Sequence, residues 1–154
     1  MRNSKKTEVR TWYGLDGTVI IGAGFLHKSG IGALIIPHPS VVNWLLRLGL
    51  PEDSATTLRT NHEIGHLQSA PLAVLYAVTN YTAIITANQV NLPNLILVFM
   101  CTHAAWEIMS ETLTIVVDYR FYHKCYEGIS IAPRAIFWIS TIALTLIGWI
   151  VVLL

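Results

Sequence analysis

The residues with the clearest capacity for chemistry are His62 and His66, four positions apart in the run His62-Glu63-Ile64-Gly65-His66. On a helix, positions i and i+4 share a face, so both imidazoles can reach one ion. Glu63, next to the first imidazole, is placed to act as a general base on a water molecule at that ion. The plainer reading is a pair of surface histidines on an ordinary helix. Two further groups weigh against it. Glu107 and Glu111 are also four apart, on one stripe of a helix that otherwise reads as membrane-spanning, with His103 one turn before them. Carboxylates inside such helices are rare and mark functional sites. Two on one stripe need a partner such as a cation. Catalytic zinc takes about three protein ligands and keeps one position open for water. One of the two carboxylates is therefore expected to complete the set begun by His62 and His66.

A helix must carry the histidine pair. Asp53 or Ser54 can cap it, and the run Ser54–Ala70 holds no proline. Pro71 is expected to kink or end that helix where an apolar run begins. The composition explains the setting. The 154-residue chain is 53% hydrophobic and 12% charged, against roughly 25% charged in an average soluble domain. Three spans are expected near residues 71–87, 92–117 and 135–154, the last without any charge. The fold class expected is mainly α. It is a multi-pass membrane helical bundle with about three transmembrane helices, a surface helix and a small N-terminal β-hairpin. The whole chain, 1–154, reads as one domain: an interfacial N-terminal region, 1–60, and a helical core, 61–154.

Arg2, Lys5, Lys6, Arg10, Lys28, Arg47 and Arg59 precede the first span, and Arg120, Lys124 and Arg134 lie between the second and third. With three spans all ten fall on one side, which the positive-inside rule makes the cytoplasm. The N-terminus is then cytoplasmic and the C-terminus lies on the opposite side of a cell membrane. Thr18–Ile36 has the length of a fourth span, but Lys28 and four glycines argue against one. A hairpin is preferred, with TVIIGAGF and GALII as strands around HKSG. Ser40–Leu50 reads as a surface helix capped by Ser40. The N-terminal stretch lacks a clean apolar core and cleavage site, so a signal peptide is not expected. Cys101 and Cys125 form no framework and are expected to be free thiols. No basic face for nucleic acid is present, and the net charge is only +1.

The pattern resembles the gluzincin metalloproteases, in which a helix bearing HExxH supplies two histidines and a later helix supplies a glutamate. Glu107-Ile-Met-Ser110-Glu111 looks like the Glu-x-x-Ser-Asp signature of the thermolysin type, with Glu in place of Asp. The resemblance implies Glu107 as third ligand and Glu111 as the acid that steadies an imidazole. The stretch HEIGHLQSAPL also looks like membrane-associated proteins that carry H-E-x-G-H-x-x-Q-S. The resemblance covers two helices, under a third of the chain. Two departures are visible. The interval from His66 to Glu107 is longer than in thermolysin, and Glu111 replaces the usual aspartate. Intramembrane site-2 proteases also pair HExxH with a later aspartate. Asp118 is the candidate there, but its setting, VVDYR, lacks their Asn-Pro-Asp-Gly surroundings.

At about 1.5 Å per residue, Glu111 lies ~9 Å and Glu107 ~15 Å from Val117. If neither a nearby bilayer boundary nor a water-filled cavity reaches Glu107, the roles of the two glutamates are reversed. The function expected is zinc-dependent peptide hydrolysis at the cytoplasmic face, with one Zn2+ and peptides or membrane-protein tails as substrates. Glu63 takes a proton from the attacking water and passes it to the leaving amine. His103, Tyr119, Tyr122 and His123 are candidate donors to the oxyanion, although Tyr119 and Tyr122 also suit an interfacial aromatic belt. His123, His27 and His38 are most simply loop residues. Gluzincins usually bind substrate along an edge strand, which the hairpin at Thr18–Ile36 could supply. Two other classes compete. A non-proteolytic metal-binding membrane subunit would keep the ligands without turnover. A membrane di-iron oxidoreductase would use H-x-x-x-H, but such enzymes need about eight histidines in several boxes, and this chain has six.

Overall fold

A computed structural model describes residues 5–21, 27–29, 33–35 and 49–153. The described elements run β1 (Lys5–Arg10), β2 (Asp16–Ile21), β3 (His27–Ser29), β4 (Ala33–Ile35), α1 (Glu52–Thr86), α2 (Leu92–Val117), α3 (Tyr119–Cys125) and α4 (Ala132–Leu153). The chain is mainly helical, as its composition requires. Three of its helices are long and apolar enough to cross a membrane: α1, α2 and α4. This suggests a membrane protein. Leu72, Leu75, Val78, Phe99, Ile136, Ile139 and Leu146 all point outward. In water so much exposed apolar surface would drive association.

The strands correct the expected hairpin. β2 pairs antiparallel with β1, in register from Lys5 opposite Ile21 to Arg10 opposite Asp16. The HKS segment, expected as the turn, is itself strand β3 and pairs with β4, with His27 opposite Ile35. The described parts of Thr18–Ile36 are thus strand, and no helix runs through them. His27 is a strand residue rather than a loop residue. The turn from Thr11 to Leu15 explains the register. Thr11 Oγ1 donates to the Leu15 carbonyl at 2.7 Å and accepts from the Leu15 amide at 2.9 Å. Gly14 adopts φ +87°, where a side chain would be strained. The expected surface helix at Ser40–Leu50 and the residue His38 lie outside the described residues, apart from Gly49 and Leu50.

α1 begins at Glu52, so Asp53 and Ser54 lie in its first turn rather than at its cap. The amide of Ala55 donates to the Pro51 carbonyl at 2.9 Å. Pro71 neither ends α1 nor splits it: the helix is 35 residues long with Pro71 inside. At about 1.5 Å per residue that is ~52 Å, well beyond a hydrocarbon core of about 30 Å. Part of the helix therefore has to stand clear of the apolar layer. α1 stops at Asn88, whose φ of +55° is tolerated better by Asn than by most residues. The Gln89 amide donates to Ile84 at 2.8 Å and the Asn88 amide to Ile85 at 3.1 Å, which satisfies the last carbonyls. Asn91 then caps α2, its Oδ1 accepting from the Asn94 amide at 2.9 Å.

The chain divides into two compact units, Met1–Gln68 with Ser110–Ser130, and Ser69–Met109 with Ile131–Leu154. In the first, Leu50, Ala55, Leu58, Tyr122 and Tyr126 form a buried cluster, with Ile115, Phe121, Cys125 and Ile129 against it. In the second, α2 and α4 approach closely at small residues. A Cβ on Gly148 would fall 2.6 Å from the Cys101 Cβ. The Cys101 thiol donates to the Leu144 carbonyl at 2.8 Å. Cys101 and Cys125 are both free thiols. Burial, and behind it the nearby Asp118 carboxylate, pushes the Cys125 thiol above its ordinary value, against a Ser54 hydrogen bond and the Lys124 charge. It therefore stays protonated and unreactive at neutral pH.

Candidate metal centre

Helix α1 places His62 and His66 on one face, their rings edge to face with centroids 4.7 Å apart. Glu107, on α2, completes a group in which one ligand atom from each residue lies within 4.8 Å of the others. His62, His66 and Glu107 could therefore hold a metal ion. His62 is buried and the other two are partly buried. This chemistry suits a divalent cation that accepts nitrogen and oxygen donors, zinc among them.

The surroundings of His62 fit that use. Its Nδ1 lies 2.8 Å from Glu111 Oε2. A carboxylate there accepts the Nδ1 proton, which fixes the tautomer and leaves Nε2 as the ligating atom. The other oxygen of Glu111 accepts from the Tyr122 hydroxyl at 2.5 Å. Tyr122, one of four candidate donors to an oxyanion, thus bonds to the acid behind His62. Glu107 and Glu111, one turn apart, thus occupy different places: Glu107 in the group of possible ligand atoms, Glu111 on Nδ1 of His62. The shared stripe of α2 makes that placement possible, because i and i+4 point the same way at different heights.

A close approach of backbone holds this arrangement. A Cβ on Gly65 would fall 2.5 Å from the Ser110 carbonyl oxygen and 2.8 Å from its hydroxyl. Only glycine leaves room there. Ser110 is fully buried, and its hydroxyl donates to the His62 carbonyl. Gly65, one of the two unspecified positions in H-E-x-x-H, thus lets α2 come near enough for Glu111 to reach His62.

Glu63 is 4% exposed and is not one of the three grouped ligands. Its carboxylate pairs with the guanidinium of Arg59, one turn earlier on α1. A buried carboxylate would be costly without such a partner. Sequence reasoning passed over Arg59, although an opposite charge four positions before Glu63 is a legible helical pairing signal. His103 lies 3.6 Å from Glu107, and its side chain is 61% exposed. Asp118 is not in the metal group. Its Oδ1 accepts from the Phe121 amide at 3.0 Å and caps α3. His123 belongs to α3 rather than to a loop and lies beside Tyr119. Nothing in the sequence pointed to Tyr122 as the partner of Glu111, because the chain ends one helix and starts another between them. No protein-family model, curated protein or solved structure matches this chain.

Proposed function

We propose that this chain is a membrane-embedded, zinc-dependent metallopeptidase that hydrolyses peptide bonds at the cytoplasmic face. The observation that carries the reading is the convergence of His62, His66 and Glu107 ligand atoms within 4.8 Å, with Glu111 on Nδ1 of His62. Three ligands and one supporting carboxylate are what an open catalytic zinc site requires. Zinc held there supplies Lewis acidity, which lowers the pKa of water and polarises a carbonyl. Glu63 takes the proton of the attacking water and hands it to the leaving amine. Arg59 orients the Glu63 carboxylate between those two transfers. Glu111 and Tyr122 keep the His62 imidazole in one tautomer throughout.

The substrates are peptides or membrane-protein tails near the bilayer. The basic residues, all on one side of three spans, put the N-terminus and the site in the cytoplasm and the C-terminus outside. A second reading, a metal-binding membrane subunit without turnover, is favoured by one observation: the Glu63 carboxylate already has Arg59 as a partner. Elemental analysis of the purified protein beside two variants separates the readings. About one zinc per chain is expected in the wild type and in Glu63→Gln, with almost none in His66→Ala. Peptide cleavage by the wild type should vanish in Glu63→Gln. Equal zinc in all three proteins would refute the ligand assignment, and zinc without cleavage of any peptide in a library would favour the second reading.

A further inference from the structure

Pro71 has no amide hydrogen, so the carbonyl of Leu67, four residues earlier, loses its normal helical donor. An interior proline ordinarily kinks or breaks a helix. α1 nevertheless runs from Glu52 to Thr86. The Tyr13 hydroxyl donates to that same Leu67 carbonyl at 2.6 Å. The next carbonyl, of Gln68, accepts the Trp12 indole N–H at 2.8 Å. The Gln68 side chain joins the contact at both ends. Its Oε1 accepts from the Trp12 amide and its Nε2 donates to the Arg10 carbonyl, each at 3.2 Å. Gly17 on β2 leaves space for the Leu67 side chain, which a Cβ would meet at 2.9 Å. The β1–β2 hairpin is thus fastened to the turn of α1 that directly follows His66.

We propose that Tyr13 is a positioning residue for the metal centre: by filling the carbonyl that Pro71 leaves without a donor, it holds the turn after His66 in helical form. The inference rests on the metal reading above. His66 is one residue from Leu67, so opening of this turn takes its imidazole off the face it shares with His62. The hairpin then sets metal affinity without touching the metal. Linkage makes the effect reciprocal, so an ion at the site tightens the hairpin by the same factor.

The test is a double-mutant cycle in the full-length, detergent-solubilised protein. It is read by Co2+ titration through the visible absorption of the bound ion, and by hydrogen exchange at Thr11–Leu15. Tyr13→Phe should weaken Co2+ binding about threefold to tenfold, the net worth of one hydrogen bond. It should also speed exchange in the metal-free protein. In a Pro71→Ala background, residue 71 supplies the missing N–H, and the same Tyr13→Phe change should matter less than about twofold. Co2+ added to the wild type should slow exchange at Thr11–Leu15. Unchanged affinity in Tyr13→Phe, or an equal loss in both backgrounds, overturns the proposal. No Co2+ bound by the wild type overturns the metal reading and the coupling together. In that case exchange in the metal-free single and double variants still decides whether Tyr13 fills the Pro71 gap.

Discussion

In the unit formed by Met1–Gln68 and Ser110–Ser130, several buried polar groups find partners far away in the sequence, while Thr60, Glu63 and Thr114 pair within one helical turn. His62 meets Glu111 across 49 positions, Ser110 meets the His62 carbonyl across 48, and Tyr13 meets Leu67 across 54. In the unit formed by Ser69–Met109 and Ile131–Leu154, hydroxyls mostly bond back to their own helix. Thr79 donates to Leu75, Thr86 to Thr82, Thr141 to Phe137 and Thr145 to Thr141, each four residues earlier. The difference follows from what surrounds each unit. Where a helix reads as membrane-spanning, a hydroxyl pointing outward has no water to turn to, so the nearest carbonyl is its partner. In the other unit, Glu111 on α2 and Tyr13 in the β1–β2 turn reach α1 from distant parts of the sequence.

That contrast can be broken by substitution. The largest effect is expected at Glu111. Glu111→Gln keeps the shape but removes the anionic partner of His62, and should lower zinc affinity by about tenfold to a hundredfold. Competition with a zinc-binding dye measures this, and an affinity within twofold of wild type would separate Glu111 from the site. Gly148→Ala is the matching test in the other unit. The new methyl would meet the Cβ and Sγ of Cys101 at 2.6 and 2.7 Å. Overpacking costs typically ~1–3 kcal/mol, against about 1 kcal/mol returned by the better helix former. Net destabilisation of up to about 2 kcal/mol is expected in detergent unfolding, with zinc stoichiometry unchanged. Loss of zinc in Gly148→Ala would show that strain at Cys101 reaches Glu107, which lies on the same helix. The smallest effect should come from Thr141→Val, which removes only a bond to its own helix. Stability should stay within about 0.5 kcal/mol of wild type by the same unfolding measurement.

The helices were legible because their causes are local. Long apolar runs mark α2 and α4, and the pair at i and i+4 in HEIGH needs only helical geometry to share a face, whereas α3 and its cap Asp118 were not read from the sequence. The hairpin was misplaced because strand pairing is not local. Thr18–Ile21 can pair with either neighbour, and the turn at Thr11–Leu15 selects β1. Pro71 was expected to kink or end α1, and the helix does not end there. A proline ends an isolated helix, but here Tyr13 and Trp12 supply donors from a distant segment.

What the sequence by itself determined is the inventory: three apolar helices, two imidazoles on one face, and two carboxylates on another stripe. It could not rank Glu107 against Glu111 from spacing, since both lie on the same stripe. In the structure Glu107 joins the group of possible ligand atoms, and Glu111 lies on Nδ1 of His62. Gly65 admits the backbone of Ser110, and the resulting helix phase sets Glu111 on Nδ1 of His62 and brings Glu107 to the ligand atoms. The physical reason is that periodicity fixes which side chains share a face, whereas the distance between two faces depends on the smallest residue between them.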